Sequence, residues 1–196
     1  MKIGIYGGSF NPVHYGHVGM VKWILEHTDL DKVWLFVSPK SPHKTDREDL
    51  DANYPERVDA VREAMKDIPR VLVSDFENHL PRPSYTANTL RALEKARPDD
   101  EFTLIIGEDN WNVFDKWREW EYILQNYRVF VYPRKENTDR GKAAQSRKTA
   151  ALKVESIKTA DVVRSEAKNV VFLREAPYFD ISSTEIREKM QKDLQV

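Results

Sequence analysis

Gly7 to His17 read GGSFNPVHYGH. Two adjacent glycines let a backbone approach a ligand closely and permit unusual dihedrals, and Ser9 adds a small hydroxyl. His14 and His17 stand three residues apart, so on a helix they share one side. An imidazole N–H donates to a phosphate oxygen, and a protonated ring adds positive charge. Three plainer explanations compete: a chance surface pair, a zinc pair, or glycines that only make a tight turn. Zinc fits poorly, because catalytic zinc takes three protein ligands and no third lies nearby in sequence. The chemistry these residues suit best is the handling of phosphate.

The remainder of the chain narrows the choice. Its 196 residues fit one domain with a full core. With 40% hydrophobic and 32% charged residues, the composition is that of an ordinary globular protein. A net charge of -1 offers no general electrostatic case for nucleic acid or an anionic membrane, so phosphate chemistry must come from a local site. The absence of cysteine excludes disulfides, thiolate catalysis and cysteine-based zinc sites. No signal-peptide pattern is visible. Apolar runs such as Val33 to Val37 are far too short to span a bilayer. The cytoplasm is the expected compartment.

The elements that must position the histidines follow from pattern. Lys2–Tyr6 reads as a strand ended by Gly7 and Gly8, and Tyr15 to about His27 as a helix with apolar positions at helical spacing. Further strands are expected at Lys32–Val37, Arg70–Ser74, Phe102–Gly107, Tyr127–Tyr132 and Asn169–Leu173. Further helices are expected at Pro55–Lys66, at Tyr85 to about Ala96 with Ser84 as cap, at Trp117–Gln125 and at Ser182–Leu194. Ser182 and Glu185 have capping-box spacing. Continuous apolar strands alternating with helices predict an α/β fold, a Rossmann-like doubly wound parallel sheet with helices on both faces. In such sheets ligands sit beyond the carboxyl ends of the strands. The reading is a single domain over 1–196. It carries a basic insertion at about 135–168, where ten basic and five acidic residues fall between Arg134 and Lys168. The insertion reads as a solvated, partly helical segment; a lid over phosphates and a subunit contact are the sharper options.

Two motifs at opposite ends of the chain carry a resemblance. GGSFNPVHYGH, with His14-Tyr15-Gly16-His17, and ISSTEIR, Ile181 to Arg187, resemble the signatures of the nucleotidylyltransferase superfamily. SPHK (Ser41 to Lys44), SYTANTL (Ser84 to Leu90), GEDNWNVFDKW (Gly107 to Trp117) and VFVYPR (Val129 to Arg134) narrow it to the nicotinate or nicotinamide mononucleotide adenylyltransferases. Asn11 and Asn88 stand where that family often has Asp.

The resemblance implies an adenylyl transfer from ATP to nicotinate mononucleotide or nicotinamide mononucleotide in NAD biosynthesis. It implies His14, His17, Lys44 and Arg187 as catalytic residues. It implies ATP contacts from Gly7, Gly8, Ser9, Phe10, Gly16, Gly107, Asp109, Ile181, Ser182, Ser183 and Thr184. It implies mononucleotide contacts from Asn11, Lys44, Tyr85, Thr86, Asn88, Trp117, Trp120 and Arg134. Trp117 is expected against the pyridine ring, which needs an aromatic face, while Trp120 divides evenly between site and core. Arg57 and His43 can reach such a site but read more simply as surface residues. Mg²⁺ is expected with ATP, held mainly by phosphates and water with no dedicated protein site; Asp109, the best single candidate, reads more simply as a hydrogen-bond partner of a ribose or nucleotide. Two other readings stay open at this point. One is a phosphopantetheine adenylyltransferase or cytidylyltransferase; the other is a binding or regulatory module that kept the site without turnover.

Overall fold

The computed structural model describes residues 1–39, 52–134 and 169–193. Lys44, His43 and the insertion at about 135–168 lie outside them. Six strands form one parallel sheet: β1 (Lys2–Gly8), β2 (Lys32–Val37), β3 (Val71–Ser74), β4 (Glu101–Gly107), β5 (Arg128–Tyr132) and β6 (Val170–Phe172). Their order is β3-β2-β1-β4-β5-β6, and every neighbouring pair is parallel. The helices are α1 (Tyr15–His27), α2 (Tyr54–Met65), α3 (Thr86–Ala96), α4 (Glu108–Trp111), α5 (Trp120–Asn126) and α6 (Ser183–Asp193). The doubly wound sheet matches the expected class.

The central strands β1, β2, β4 and β5 read as continuous apolar runs because they are buried on both faces, whereas the edge strand β3 leaves Leu72 exposed. Alternate residues feed two cores. Ile3 and Ile5 of β1, Phe102, Leu104 and Ile106 of β4, and Val129 and Val131 of β5 join one cluster with Leu90 and Leu93 of α3. Tyr6, Ile105, Phe130 and Tyr132 point the other way, into a cluster with Met20, Val21 and Ile24 of α1 and Val58 and Val61 of α2. The switch in strand order falls at β1, between β2 and β4. A crevice at the carboxyl end of β1 is therefore built in by topology.

Three local expectations need correction. Gly7 and Gly8 do not end β1; they are its last two residues, paired with Phe36 and Val37. Among the described residues no glycine takes a positive φ, and the left-handed residue of the turn is Phe10, at φ 44. Its ring is buried beside Tyr6 and His17, and that burial offsets a backbone strain of about 1–3 kcal/mol. The helix expected from Trp117 begins only at Trp120. Glu119 has φ 57, which breaks a right-handed helix, and a 3₁₀ turn at Phe114–Lys116 precedes it. Ser84 does not cap α3; its hydroxyl is buried with no partner among the described residues.

Candidate active site

The carboxyl ends of β1 and β4 open into two cavities that share a wall of Gly7, Gly8, Ser9, Ile106, Asn110 and Val113. The larger is a cleft of about 770 Å³. Phe10, His17, Gly107, Asp109, Arg134 and the start of α6 complete it. The smaller holds about 230 Å³ and is closed by Ser38, Glu77, Tyr85, Thr86, Thr89 and Trp117. Among the described residues beyond its chain neighbours, none comes within 4 Å of where a Cβ on Gly7 would sit. The backbone there faces open space, as close approach by a ligand requires.

The histidines are built into the start of α1. His14 is its N-cap, in extended backbone. The His14 N–H donates to Nδ1 of His17 at 3.2 Å, so His17 fills the place that Glu or Gln usually holds in a capping box. With Nδ1 accepting, the proton of a neutral ring sits on Nε2, and the side chain lines the larger cleft. The two rings stack with centroids 3.7 Å apart. Both nitrogens of His14 are buried with no partner among the described residues. Burial, then His14 and Arg134, pushes the His17 pKa down to about 3. Burial, then Arg134, pushes His14 down to about 4. Near pH 7 both rings are neutral N–H donors.

The second helix terminus is that of α6. The expected capping box forms: Ser182 Oγ accepts from the Glu185 N–H at 3.2 Å, and Glu185 Oε2 accepts from the Ser182 N–H at 3.0 Å. Ser182 Oγ also donates to Glu185 Oε2, and Ser183 Oγ donates to the Pro12 carbonyl at 2.9 Å. The donors α6 offers the cleft are thus its first backbone N–H groups, at Ser183 and Thr184, which have no intrahelical partner. Arg187 is anchored by the Asn11 carbonyl and Thr184 Oγ1 and reaches the cleft wall.

What brings α6 beside α1 is a notch of small residues. A Cβ on Gly16 would lie 2.9 Å from Ile181 Cγ2 and 3.1 Å from Phe179 Cβ. A Cβ on Gly19 would lie 2.2 Å from Phe179 Cζ. Gly16, expected as an ATP contact, does not line the cleft; it seats the segment that leads into α6. Gly19 was not singled out by sequence, and a glycine two positions past the histidines carries no signal of its own.

Arg134, expected on the mononucleotide, lies in the larger cleft, with Nη1 3.1 Å from Asp109 Oδ2. Asn88 faces solvent and lines neither cavity; one position along α3, Thr89 is buried and takes its place. Trp117 and Trp120 both pack against one core cluster; Trp117 also lines the smaller cavity, on Phe114 at 5.0 Å, and Trp120 lines neither cavity. Asn11 meets Arg187 through its carbonyl and lines neither cavity. Tyr85 and Thr86 open α3 at the smaller cavity.

Two charged residues are more central than their sequence suggests. Arg57 is 3% exposed. Its guanidinium donates to the carbonyls of Ser9, Ser38 and Pro39 and to Asn53 Oδ1. Glu77 is also buried and joins two hydroxyls across the smaller cavity. Among the described residues, no three His, Asp or Glu gather as an ion site, and no helix is long and apolar enough to cross a membrane.

Two adjoining cavities, one rimmed by helix N-termini and paired imidazoles, meet at the switch in strand order of an α/β sheet, the place where such folds take their ligands. Residues 5–189 match the cytidylyltransferase-like family model, and the chain belongs to that family. It is 40% identical to a probable nicotinate-nucleotide adenylyltransferase of Bacteroides fragilis, over 96% of this chain and 82% of that one. A protein of the same description from Flavobacterium psychrophilum is 41% identical, over 100% of this chain and 90% of that one. A nicotinic acid mononucleotide adenylyltransferase of Plasmodium falciparum, solved in complex with NaAD, has the same fold. The TM-score is 0.68 over 95% of this chain and 82% of that one, at 17% identity.

Proposed function

We infer that this chain is a nicotinate-nucleotide adenylyltransferase. It joins the adenylyl group of ATP to the phosphate of nicotinate mononucleotide and releases pyrophosphate, a step of NAD biosynthesis. The observation that carries this reading is the pair of cavities meeting at Gly8 and Ser9. ATP phosphates occupy the larger, and the mononucleotide the smaller, with its pyridine ring on Trp117. A cysteine-free chain of this kind suits the cytoplasm, where ATP is available.

An oxygen of the mononucleotide phosphate attacks the α-phosphorus of ATP. The new P–O bond forms as the bond to the pyrophosphate oxygen breaks, and the electron pair leaves with pyrophosphate. A phosphate oxygen is already a nucleophile at neutral pH, so positioning and charge stabilisation are enough. His17 Nε2–H and the N–H groups of Gly8 and Ser9 serve the α-phosphate. The α6 N-terminus, Arg187 and Arg134 serve the leaving pyrophosphate. The free N–H groups at the start of α3 and the Ser84 hydroxyl suit an acidic substituent on the pyridine ring. Lys44, outside the described residues, is proposed to add a further cation. Mg²⁺ enters as part of the substrate, on the ATP phosphates and water. Asp109, paired with Arg134, is the carboxylate nearest to hand, and no step is assigned to a protein-held ion.

The test is pyrophosphate release from ATP and Mg²⁺, with nicotinate mononucleotide compared against nicotinamide mononucleotide. The expected result is a preference of tenfold or more for the acid, about 1.4 kcal/mol in transition-state binding. His17→Ala is expected to lower the rate by about two to three powers of ten. An undiminished rate in that variant refutes the assignment.

A further inference from the structure

Glu77 lies in a 3₁₀ turn, Phe76–His79, between β3 and α3. It is 8% exposed and forms part of the wall of the smaller cavity. Its two carboxylate oxygens are shared between two elements. Ser38 Oγ, just past β2, donates to Oε2 at 2.7 Å. Thr89 Oγ1, in the first turn of α3, donates to Oε1 at 3.1 Å. The Ser38 N–H in turn donates to the Gly8 carbonyl at 2.9 Å, and the Ser38 carbonyl accepts from Arg57 Nη1 at 3.0 Å. That same Nη1 holds the Ser9 carbonyl at 2.6 Å.

These bonds make one continuous strut. It runs from α3, whose N-terminus faces the acceptor, through Thr89, Glu77 and Ser38, to Gly8 and Ser9 in the wall both cavities share. We propose that Glu77 is a positioning residue for adenylyl transfer, setting the place of the acceptor helix relative to the ATP phosphate loop. The proposal rests on the function inferred above.

The residue type follows from geometry. Two hydroxyls arrive from opposite sides, and both donate. Only a carboxylate offers two acceptor oxygens. Burial raises the Glu77 pKa while the two hydroxyls pull it back down. A glutamine presents an amide NH₂ to one hydroxyl, which must turn and accept, so one arm of the strut is remade with the opposite polarity. An alanine leaves the Ser38 hydroxyl without its carboxylate acceptor and the Thr89 hydroxyl with only the Tyr85 carbonyl, at 3.4 Å. In either case α3 and the Gly8–Ser9 loop keep their own folds and lose their mutual register. A misplacement of about 1 Å between reacting groups costs on the order of a hundredfold in rate, whereas the cleft residues beyond the shared wall, His17, Arg134 and the α6 terminus, stay in place and keep most of the grip on ATP.

The experiment is steady-state kinetics of Glu77→Gln and Thr89→Val, with ATP and nicotinate mononucleotide varied separately and melting temperature recorded. The expected result is a fall in kcat of about tenfold or more, with the KM for ATP within about threefold of the unmutated protein. Thr89→Ser, which restores the hydroxyl, is expected to recover most of the rate lost in Thr89→Val. Glu77→Gln combined with Ser38→Ala is expected to lose little more than either alone, since both cut the same strut. An unchanged kcat, a loss explained by melting alone, or multiplicative losses in the double variant overturns the proposal. An unmutated protein that releases no pyrophosphate overturns it together with the functional reading, and is told apart because the failure appears before any substitution.

Discussion

The notch on α1 makes a prediction in which two effects of opposite sign compete. Gly19 is an interior residue of α1, where alanine is favoured by about 1 kcal/mol. A Cβ there would lie 2.2, 2.6 and 3.1 Å from three atoms of the Phe179 ring. Carbon atoms rest at about 3.5–4.0 Å, so in Gly19→Ala the ring must retreat by roughly 1.5 Å. Overpacking of this kind costs about 1–3 kcal/mol. The net change is a destabilisation of about 0–2 kcal/mol, which lowers Tm by no more than about 8 °C at this chain length. The kinetic consequence is larger. Phe179 is bonded through Asp180 to Ile181, which rests on Gly16 and leads directly into the α6 terminus. A displaced ring moves those N–H groups and Arg187 away from His17. A shift near 1 Å at the phosphates lowers kcat/KM for ATP by about a hundredfold. The assay is pyrophosphate release with ATP varied, beside a thermal melt on the same preparation. Phe179→Leu added to Gly19→Ala removes the clash and is expected to return much of the activity. A Gly19→Ala protein whose kcat/KM for ATP stays within about threefold of the unmutated chain refutes the reasoning.

Two further outcomes follow from the site. Trp117→Ala is expected to raise the KM for the mononucleotide about tenfold, the loss of one aromatic face, with the KM for ATP unchanged in the same titration. For pH, the folded pKa of His17, about 3, lies below its unfolded value near 6.5. The unfolded chain takes up the proton first, so the stability this histidine contributes is full above about pH 6.5 and is lost as pH falls toward 3. By pH 5 the loss is about 2 kcal/mol, with His14 adding in the same direction. Urea midpoints at pH 7 and pH 5 measure it, and His17→Asn is expected to flatten the difference; an identical slope in that variant contradicts the assignment.

The sheet was legible because its central strands are buried on both faces and so carry continuous apolar runs; Lys32–Val37 has the same bounds in sequence and structure. Helix α1 and the Ser182–Glu185 box were legible for a similar reason, since periodicity and cap spacing are local properties. Tertiary contacts were not. Arg57 sits early in a helix and reads as a surface arginine, yet its partners are loop carbonyls 18 to 48 residues away. Glu77 meets hydroxyls 39 and 12 residues away. Nothing in the spacing of either announces its role. The exchange of Asn88 for Thr89 is one residue's rotation on α3, smaller than any motif match resolves. Trp117 and Trp120 share a helical spacing in sequence and pack against the same core cluster, but the left-handed Glu119 breaks the helix between them and only Trp117 lines a cavity.

The wall common to both cavities has a thermodynamic consequence. Gly7, Gly8 and Ser9 line both cavities, so in the proposed reaction one set of backbone groups meets both ligands. Whatever the first ligand does to their placement is felt by the second. The two affinities are therefore linked, and by reciprocity the factor by which ATP alters mononucleotide binding equals the factor by which the mononucleotide alters ATP binding. Order of addition is then a property of rates alone. A substitution that stiffens this wall raises or lowers both binding constants of the ternary complex together, and one that loosens it uncouples them without touching either ligand.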